Sequence, residues 1–156
     1  MKNTYEILII GGGIFGITAA VELAKRKYEV GLINPDTIPH HLSASNDINK
    51  AVRMEYGSDK EYFKMAEIAI EGFREWNAFF KETLYHEVGF LMLCQNKMET
   101  DAQSYERDSF KNLLEAGYPT NRLEAATIRK QFPAVNPEKY IDGNFNPKGG
   151  LSLIHI

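Results

Sequence analysis

Three glycines near the start of the chain have the spacing of a phosphate-binding turn. Gly11, Gly13 and Gly16 form the pattern G-x-G-x-x-G within the stretch IIGGGIFGITAA, residues 9–20. The first glycine permits a tight turn, the second lets a pyrophosphate approach the backbone, and the third lets a helix pack closely on a strand. N–H groups at the start of that helix then hold the phosphates. The spacing predicts dinucleotide binding, with a purely structural glycine turn as the alternative.

A polar residue is expected to meet the ribose of the nucleotide at the end of the next strand. Asn34 lies eighteen residues after Gly16, about where such turns carry Asp or Glu. Its side-chain oxygen can accept a hydrogen bond from a ribose hydroxyl, although less strongly than a carboxylate can. Asp36 could take this role instead, and Asn-Pro-Asp also fits a plain surface turn. We favour Asn34.

Two basic residues follow in the stretch HLSASNDINKAVRMEYG, residues 41–57. Lys50 and Arg53 are three apart, so on one helical turn they would share a face. An arginine fork binds a carboxylate through two hydrogen bonds, and a fixed ammonium group stabilises negative charge that develops beside it. The alternative is that both are solvated charges on a surface helix.

The elements that must position these residues follow from hydrophobic patterning. EILII, residues 6–10, is an apolar run that predicts a buried parallel strand. Apolar residues then recur at helical spacing through IFGITAAVELAKRK, residues 14–27, and EVGLIN, residues 29–34, predicts a second strand. Strand, glycine turn, helix and strand together form the βαβ unit of a dinucleotide-binding fold.

After this unit the pattern changes to helices and short strands, and no second strong βαβ unit follows. Capping boxes at Ser58 with Glu61 and at Thr100 with Gln103 predict two helix starts, the second helix ending at Gly117. Pro133 should stop a shorter helix. Two short strands are expected around Gly89 in LYHEVGFLMLC, and an apolar strand in the tail FNPKGGLSLIHI.

The first of these helices carries an apolar and aromatic stripe that we expect to form core rather than a platform on which a cofactor ring stacks. The stripe comprises Tyr62, Met65, Ala66, Ala69, Phe73, Trp76 and Phe80. Cys94 should be packed at the end of an apolar strand. His86 should lie at a strand edge, with an active-site role as the alternative.

The glycine turn and the stretch at 41–57 together resemble the FAD-dependent amine and amino-acid oxidase family, which includes the sarcosine and fructosyl-amino-acid oxidases. The resemblance extends more weakly through LYHEVGFLML and FNPKGGL, and so covers most of the chain. It implies FAD as the cofactor, a small amine or amino acid as the substrate and oxygen as the electron acceptor. By resemblance, a basic residue at Lys50 lies over the flavin and helps oxygen accept electrons, and Arg53 pairs with the substrate carboxylate.

The resemblance and the glycine pattern define one set of expected site residues. The cofactor-binding residues are Gly11, Gly12, Gly13, Ile14, Phe15, Gly16, Asn34, Pro35, Ser43, Ala44 and Ser45. Lys50 and Arg53 are the expected catalytic residues, and no metal site is expected.

The expected fold class is α/β, a Rossmann-type FAD-binding βαβ unit with the start of an α+β substrate domain, incomplete. Residues 1–57 should begin the FAD-binding domain, 58–142 should begin the substrate domain and 143–156 should form a truncated return strand. Because members of the family are usually more than twice as long, we expect an N-terminal fragment with exposed sheet edges and either poor solubility or association between chains.

The expected reaction of the parent is oxidation of the C–N bond of a secondary amine or N-substituted amino acid. Hydride would pass to flavin N5, and oxygen would then reoxidise the flavin to give hydrogen peroxide. Three alternatives remain open: an FAD-dependent amino-acid dehydrogenase, an NAD(P)-dependent dehydrogenase, and an inactive fragment that only binds a nucleotide.

Composition and charge narrow the classes of partner that the protein is expected to bind. A net charge of −3 and a pI near 5.8 give no electrostatic reason to expect nucleic acid or an anionic membrane. No apolar run approaches the roughly 20 residues that span a bilayer, and we see no signal peptide. The single cysteine, Cys94, excludes an internal disulfide and fits a reducing compartment, so we expect a cytoplasmic protein.

Overall fold

A computed structural model describes residues 4–44, 46–100 and 104–153. The described chain forms two compact units, the first ending at Lys50 and the second running from Ala51 to Leu153. Among the described residues, the structure contains no candidate membrane-spanning helix. The overall class is mixed α/β, as predicted.

The first unit contains the predicted βαβ arrangement. Strand β1 (Ile7–Ile10) leads through the glycine turn into helix α1 (Ile14–Lys25), and strand β2 (Val30–Ile33) follows. The two strands are parallel, and their register runs from Ile7 opposite Val30 to Ile10 opposite Ile33. Lys25 lies in the last helical turn, where positive charge interacts favourably with the helix dipole. Both predicted strands and the helix between them are confirmed. The expected burial of β1 is wrong, because Leu8 is 53% and Ile10 is 83% exposed in a sheet that has two strands among the described residues.

Three helices belong to the second unit: α2 (Lys60–Phe80), α3 (Tyr105–Glu115) and α4 (Ala125–Gln131). The end of α3 before Gly117, whose φ is +79°, is confirmed, as is the end of α4 before Pro133.

Both predicted capping boxes are wrong. The Asp59 carboxylate, not Ser58, caps α2, accepting hydrogen bonds from the backbone N–H groups of Glu61 and Tyr62. The Ser104 hydroxyl caps α3, so that helix begins at Tyr105, five residues after Thr100; Gln103 lies outside the described residues. In each case a later polar residue has the extended backbone that a cap requires and accepts hydrogen bonds from the free N–H groups of the first turn.

The strands of the second part of the chain form two small sheets. Strands β3 (Asn49–Val52), β4 (Tyr85–His86) and β8 (Gly150–Leu153) form one sheet in the order β3-β8-β4. Strands β5 (Phe90–Cys94), β6 (Asn121–Glu124) and β7 (Asp142–Asn146) form the other in the order β5-β7-β6. Pairing is antiparallel between β4 and β8 and between β7 and both of its neighbours. The short strands expected around Gly89 and in the tail are therefore confirmed.

The expectation of one helical turn from Lys50 to Arg53 is wrong. Lys50 lies within β3, and Arg53 follows the end of that strand. A strand alternates its side chains between two faces, so a separation of three residues does not place them on one face. The pairing of β3 with β8, far along the chain, overrides a helical pattern that rested on two residues.

The core of the second unit lies between α2, α3 and the segment after β3. Its buried members are Met54, Phe63, Ala66, Ile70, Tyr85 and Leu113, with Val52, Tyr56, Phe73 and Tyr118 packed against them. Of the stripe predicted on α2, Ala66 is buried and Phe73 packs against the core. Tyr62, Met65 and Phe80 are instead more than half exposed, because α2 turns the face carrying Phe63 and Ile70 inward. Cys94 is buried, as predicted, and His86 lies on the edge strand β4.

Candidate functional site

The glycine turn of the first unit has the geometry that its sequence predicts. Gly11 has a φ of +107°, a conformation that favours glycine, and its N–H donates to the Ile33 carbonyl at 2.8 Å. A Cβ atom placed on Gly16 would lie 1.9 Å from the Gly11 carbonyl oxygen, so helix and turn are in direct contact there. A Cβ on Gly13 would have no neighbour within 4 Å. Space is therefore open over Gly13 and closed at Gly16.

The start of α1 is free to receive an anion. Gly13 is the N-cap residue, no side chain caps the helix, and its first turn has no acidic residue. The first N–H groups of a helix have no partner within the helix and carry the positive end of its dipole. A pyrophosphate over Gly13 would meet these N–H groups without competition from a side chain. The side chains of Ile14 and Phe15 are exposed beside this surface.

Asn34 is tied to the glycine turn. Its Oδ1 accepts a hydrogen bond from the Gly12 N–H at 2.9 Å, and its Nδ2 donates to the Asp36 carbonyl at 2.8 Å. A Cβ on Gly12 would come within 3 Å of the Asn34 and Ile38 side chains. The structure therefore brings Asn34 against the predicted phosphate-binding turn, with Pro35 next to it in the chain.

The remaining predicted cofactor contacts lie in the segment after β2. Ser43 belongs to a turn in which its N–H donates to the His40 carbonyl and its carbonyl accepts from the Asn46 N–H, both at 2.9 Å. Ala44 follows in the same turn, and Ser45 lies outside the described residues. Lys50 pairs its ammonium group with the Asp47 carboxylate at 2.7 Å. That ammonium group lies in the first unit and Arg53 in the second.

Asp36, His40 and His41 bring one possible metal ligand each to within 4.8 Å of one another. The His40 Nδ1 accepts a hydrogen bond from the Leu42 N–H at 3.1 Å. The His40 Nε2 lies 3.8 Å from an Asp36 carboxylate oxygen. Asp36 and His41 are exposed and His40 already has contacts within this turn, so the cluster does not by itself make a metal site.

Arg53 is the most constrained basic side chain of the predicted site. Its Nη1 donates to the Glu55 carbonyl oxygen and to the Tyr105 hydroxyl, the latter at 3.0 Å. The rings of Tyr56 and Phe90 lie 4.9 Å and 5.6 Å from the guanidinium carbon. Within the described part of the chain, its Nε and Nη2 atoms have no hydrogen-bond partner. This free edge presents two parallel N–H donors, the arrangement that binds a carboxylate through both oxygens.

A buried carboxyl lies next to this arginine in sequence. Glu55 is fully buried, and burial raises the pKa of its carboxyl above the ordinary value. Its two oxygens accept hydrogen bonds from the Asn146 Nδ2 at 3.0 Å and from the Met54 N–H at 2.9 Å. The side chain thereby joins the segment after β3 to strand β7.

Sequence reasoning did not find Glu55, Phe90 or Tyr105 as neighbours of Arg53. Tyr105 is 50 residues from Glu55 in the chain, and Asn146 is 91 residues from it. Tyr56 could have been suspected, since an aromatic residue close to an arginine often stacks on the guanidinium group. Glu55, Phe90 and Tyr105 had no comparable pattern in the sequence that would link them to Arg53.

The fold and the turn together define the class of protein. A parallel βαβ unit with a tight glycine turn at an uncapped helix start is a dinucleotide-binding unit. The chain belongs to the FAD dependent oxidoreductase (DAO) family, whose pattern matches residues 6–152.

Characterised relatives place the chain within this family. It is 33% identical over 132 residues to L-saccharopine oxidase of Schizosaccharomyces pombe, covering 83% of this chain and 30% of that protein. It is 23% identical over 155 residues to monomeric sarcosine oxidase of a Bacillus species, covering 97% of this chain and 38% of that protein. The chain thus spans about a third of the length of these relatives.

Solved structures share its fold. The L-proline dehydrogenase of P. horikoshii superposes with a TM-score of 0.79 at 22% identity, covering 97% of this chain and 39% of that one. At this identity the likeness concerns the fold alone.

Proposed function

We propose that this chain supplies the N-terminal part of an FAD-dependent enzyme that oxidises the C–N bond of a secondary amine or N-substituted amino acid. The observation that carries the proposal is the open, uncapped helix start over Gly13, in a chain that belongs to the FAD-dependent oxidoreductase family. Residues 1–57 would begin the FAD-binding domain, 58–142 a substrate domain, and 143–156 the segment that returns from it. The cytoplasmic location stays a prediction from the single cysteine.

The residues of the first unit fit the pyrophosphate and ribose of FAD. Space over Gly13 and the free N–H groups of α1 would hold the phosphates, with Gly11, Gly12, Gly16 and Asn34 shaping the turn. Ile14, Phe15, Pro35 and the segment of Ser43, Ala44 and Ser45 would line the cofactor. When bound between these residues, FAD would supply the redox chemistry, namely acceptance of a hydride from the carbon next to the substrate nitrogen and transfer of two electrons to oxygen.

The substrate is proposed to carry a carboxylate because Arg53 keeps one edge of its guanidinium group free. The relatives named for L-saccharopine and sarcosine act on substrates of this proposed class. Arg53 would bind the carboxylate through Nε and Nη2 and so fix the orientation of the neighbouring C–N bond. Water would hydrolyse the resulting imine to an amine and a carbonyl compound.

Lys50 is proposed to assist oxygen. Its ammonium group would stabilise negative charge on the reduced cofactor or on oxygen as electrons pass between them. In the full-length protein, Lys50→Met should slow reoxidation by oxygen and leave reduction by the amine nearly unchanged. Lys60→Met is the matched control, since Lys60 pairs with Glu115 on the exposed surface of the second unit. Equal reoxidation rates in the wild type and Lys50→Met would contradict this role.

The overall proposal is tested on the full-length protein after incubation with FAD and removal of free cofactor. We expect a retained flavin absorption band that bleaches without oxygen when sarcosine or L-saccharopine is added, and hydrogen peroxide once oxygen is readmitted. Bleaching without peroxide would make the protein a dehydrogenase. A folded protein that binds NAD(P) and retains no flavin would contradict the proposal.

A further inference from the structure

The Tyr105 hydroxyl joins two groups that the sequence places far from it. Tyr105 is the first residue of α3, and its hydroxyl donates to the Glu55 carbonyl oxygen at 2.5 Å. The same hydroxyl oxygen accepts a hydrogen bond from the Arg53 Nη1 at 3.0 Å. One side chain of α3 therefore contacts both the arginine and the backbone two residues after it.

These contacts use one end of the guanidinium group completely. The Nη1 atom has two hydrogens, and its two acceptors are the Glu55 carbonyl and the Tyr105 hydroxyl. The opposite edge, formed by Nε and Nη2, is the one that lacks a partner among the described residues. The aromatic rings of Tyr56 and Phe90 restrict the group further. Rotation of the guanidinium group is thus limited by Tyr105 at one end.

The backbone two residues after Glu55 is held by side chains of α3. The Gly57 N–H donates to the Ser109 hydroxyl and the Gly57 carbonyl accepts from the Asn112 Nδ2, both at 2.7 Å. Gly57 has a φ of +61°, and a Cβ atom there would lie 2.6 Å from the Tyr105 ring. The Tyr105 ring therefore packs on the loop, and its hydroxyl contacts Arg53. The two contributions can be separated by removing the hydroxyl alone.

We propose that Tyr105 is a positioning residue for Arg53. Its hydroxyl holds Nη1 so that the Nε and Nη2 edge stays directed outward as a two-point site for a carboxylate. The part that concerns the substrate rests on the proposed function, in which Arg53 binds the substrate carboxylate. The positioning of Arg53 itself does not depend on cofactor or substrate.

The test measures how fast phenylglyoxal modifies each arginine in the folded protein, by peptide mass spectrometry. In Tyr105→Phe the Arg53 guanidinium loses one hydrogen bond, and its modification should be about two- to tenfold faster. Arg74 and Arg122 are internal references that should not change. Tyr118→Phe is the matched control, because its hydroxyl contacts the Glu67 carboxylate and not Arg53. An unchanged Arg53 rate in Tyr105→Phe would overturn the proposal.

A second readout separates positioning from mere support of the loop. Hydrogen exchange at the Gly57 N–H should be the same in the wild type and Tyr105→Phe, because the ring and the Ser109 contact remain. Faster exchange there would show that the loop had loosened, and would overturn the positioning role.

Substrate binding is measured separately on the FAD-loaded full-length protein. Sarcosine should protect Arg53 from phenylglyoxal, and about tenfold more sarcosine should be needed in Tyr105→Phe. If sarcosine and L-saccharopine both fail to protect Arg53 while its modification rate still rises in Tyr105→Phe, positioning stands and the proposed carboxylate site fails.

Discussion

Gly16→Ala should break the contact between α1 and the glycine turn. The added Cβ would lie 1.9 Å from the Gly11 carbonyl oxygen, where real Cβ contacts are at least 3.0 Å, so helix and turn must separate by about 1 Å. The obstructing atom belongs to the backbone and cannot turn aside as a side chain does. Overpacking of this kind costs about 1–3 kcal/mol, and the rigid neighbour places Gly16→Ala near the upper value.

Hydrogen exchange of the α1 amides measures this cost directly. A loss of about 3 kcal/mol raises the opening equilibrium roughly 150-fold, and exchange of the Ile17 N–H, which donates to the Gly13 carbonyl, should accelerate by that factor. The matched control is Gly13→Ala, since a Cβ there has no neighbour within 4 Å and its φ of −78° suits alanine. Gly13→Ala should change hydrogen exchange of the α1 amides by a few-fold at most, as expected for a weaker N-cap. Unchanged exchange in Gly16→Ala would refute the close packing.

Three further predictions concern the second unit. Burial raises the pKa of Glu55, so its contribution to stability is complete below its ordinary pKa and is lost as the pH rises through the raised value. Urea unfolding from about pH 4 to pH 7 should therefore show the wild type losing stability relative to Glu55→Gln. A constant difference in the free energy of unfolding between the two proteins would contradict this. Burial also raises the pKa of Cys94 to about 12, so iodoacetamide at pH 8 should label the unfolded chain at least about a hundredfold faster than the folded chain. Similar labelling rates in the two states would count against a buried thiol. Gly72→Ala, inside α2 and without neighbours near its Cβ, should raise the free energy of unfolding by about 0.5–1 kcal/mol, and a decrease would show that the site is crowded.

Local patterns were enough to predict the first unit. The strand before Gly11, the helix after Gly13 and the strand before Asn34 are contiguous, and each has its own periodicity or glycine. Even the approach of Asn34 to the turn follows from parallel pairing, because both lie at the carboxyl ends of neighbouring strands.

Local sequence patterns were not enough to predict the packing and the helix starts of the second unit. Helix α2 carries apolar residues on more than one face, so tertiary packing selected the face with Phe63 and Ile70. Asp59 follows Ser58 directly, and two adjacent cap-forming residues leave the start of a helix ambiguous by one position.

The neighbours of Arg53 come from three separate elements. Tyr105 begins α3, Phe90 begins β5, and Asn146 ends β7 and holds the segment through Glu55. Side chains separated by tens of residues leave no common pattern in a single sequence, so the site could be proposed only as far as Arg53 itself. Lys50 was placed on a helix for the same reason, because its strand partner β8 lies a hundred residues later.

The central claim is that the glycine turn holds the pyrophosphate of FAD through the open space over Gly13. The most direct measurement is a titration of FAD against the full-length wild type and Gly13→Ala, after checking that α1 exchange in the variant stays within a few-fold of that in the wild type. We predict saturable binding to the wild type and at least about tenfold weaker binding to Gly13→Ala, because a methyl group would fill the position of the phosphate. Equal affinity in the two proteins, or a folded wild type that binds no FAD, would contradict the account.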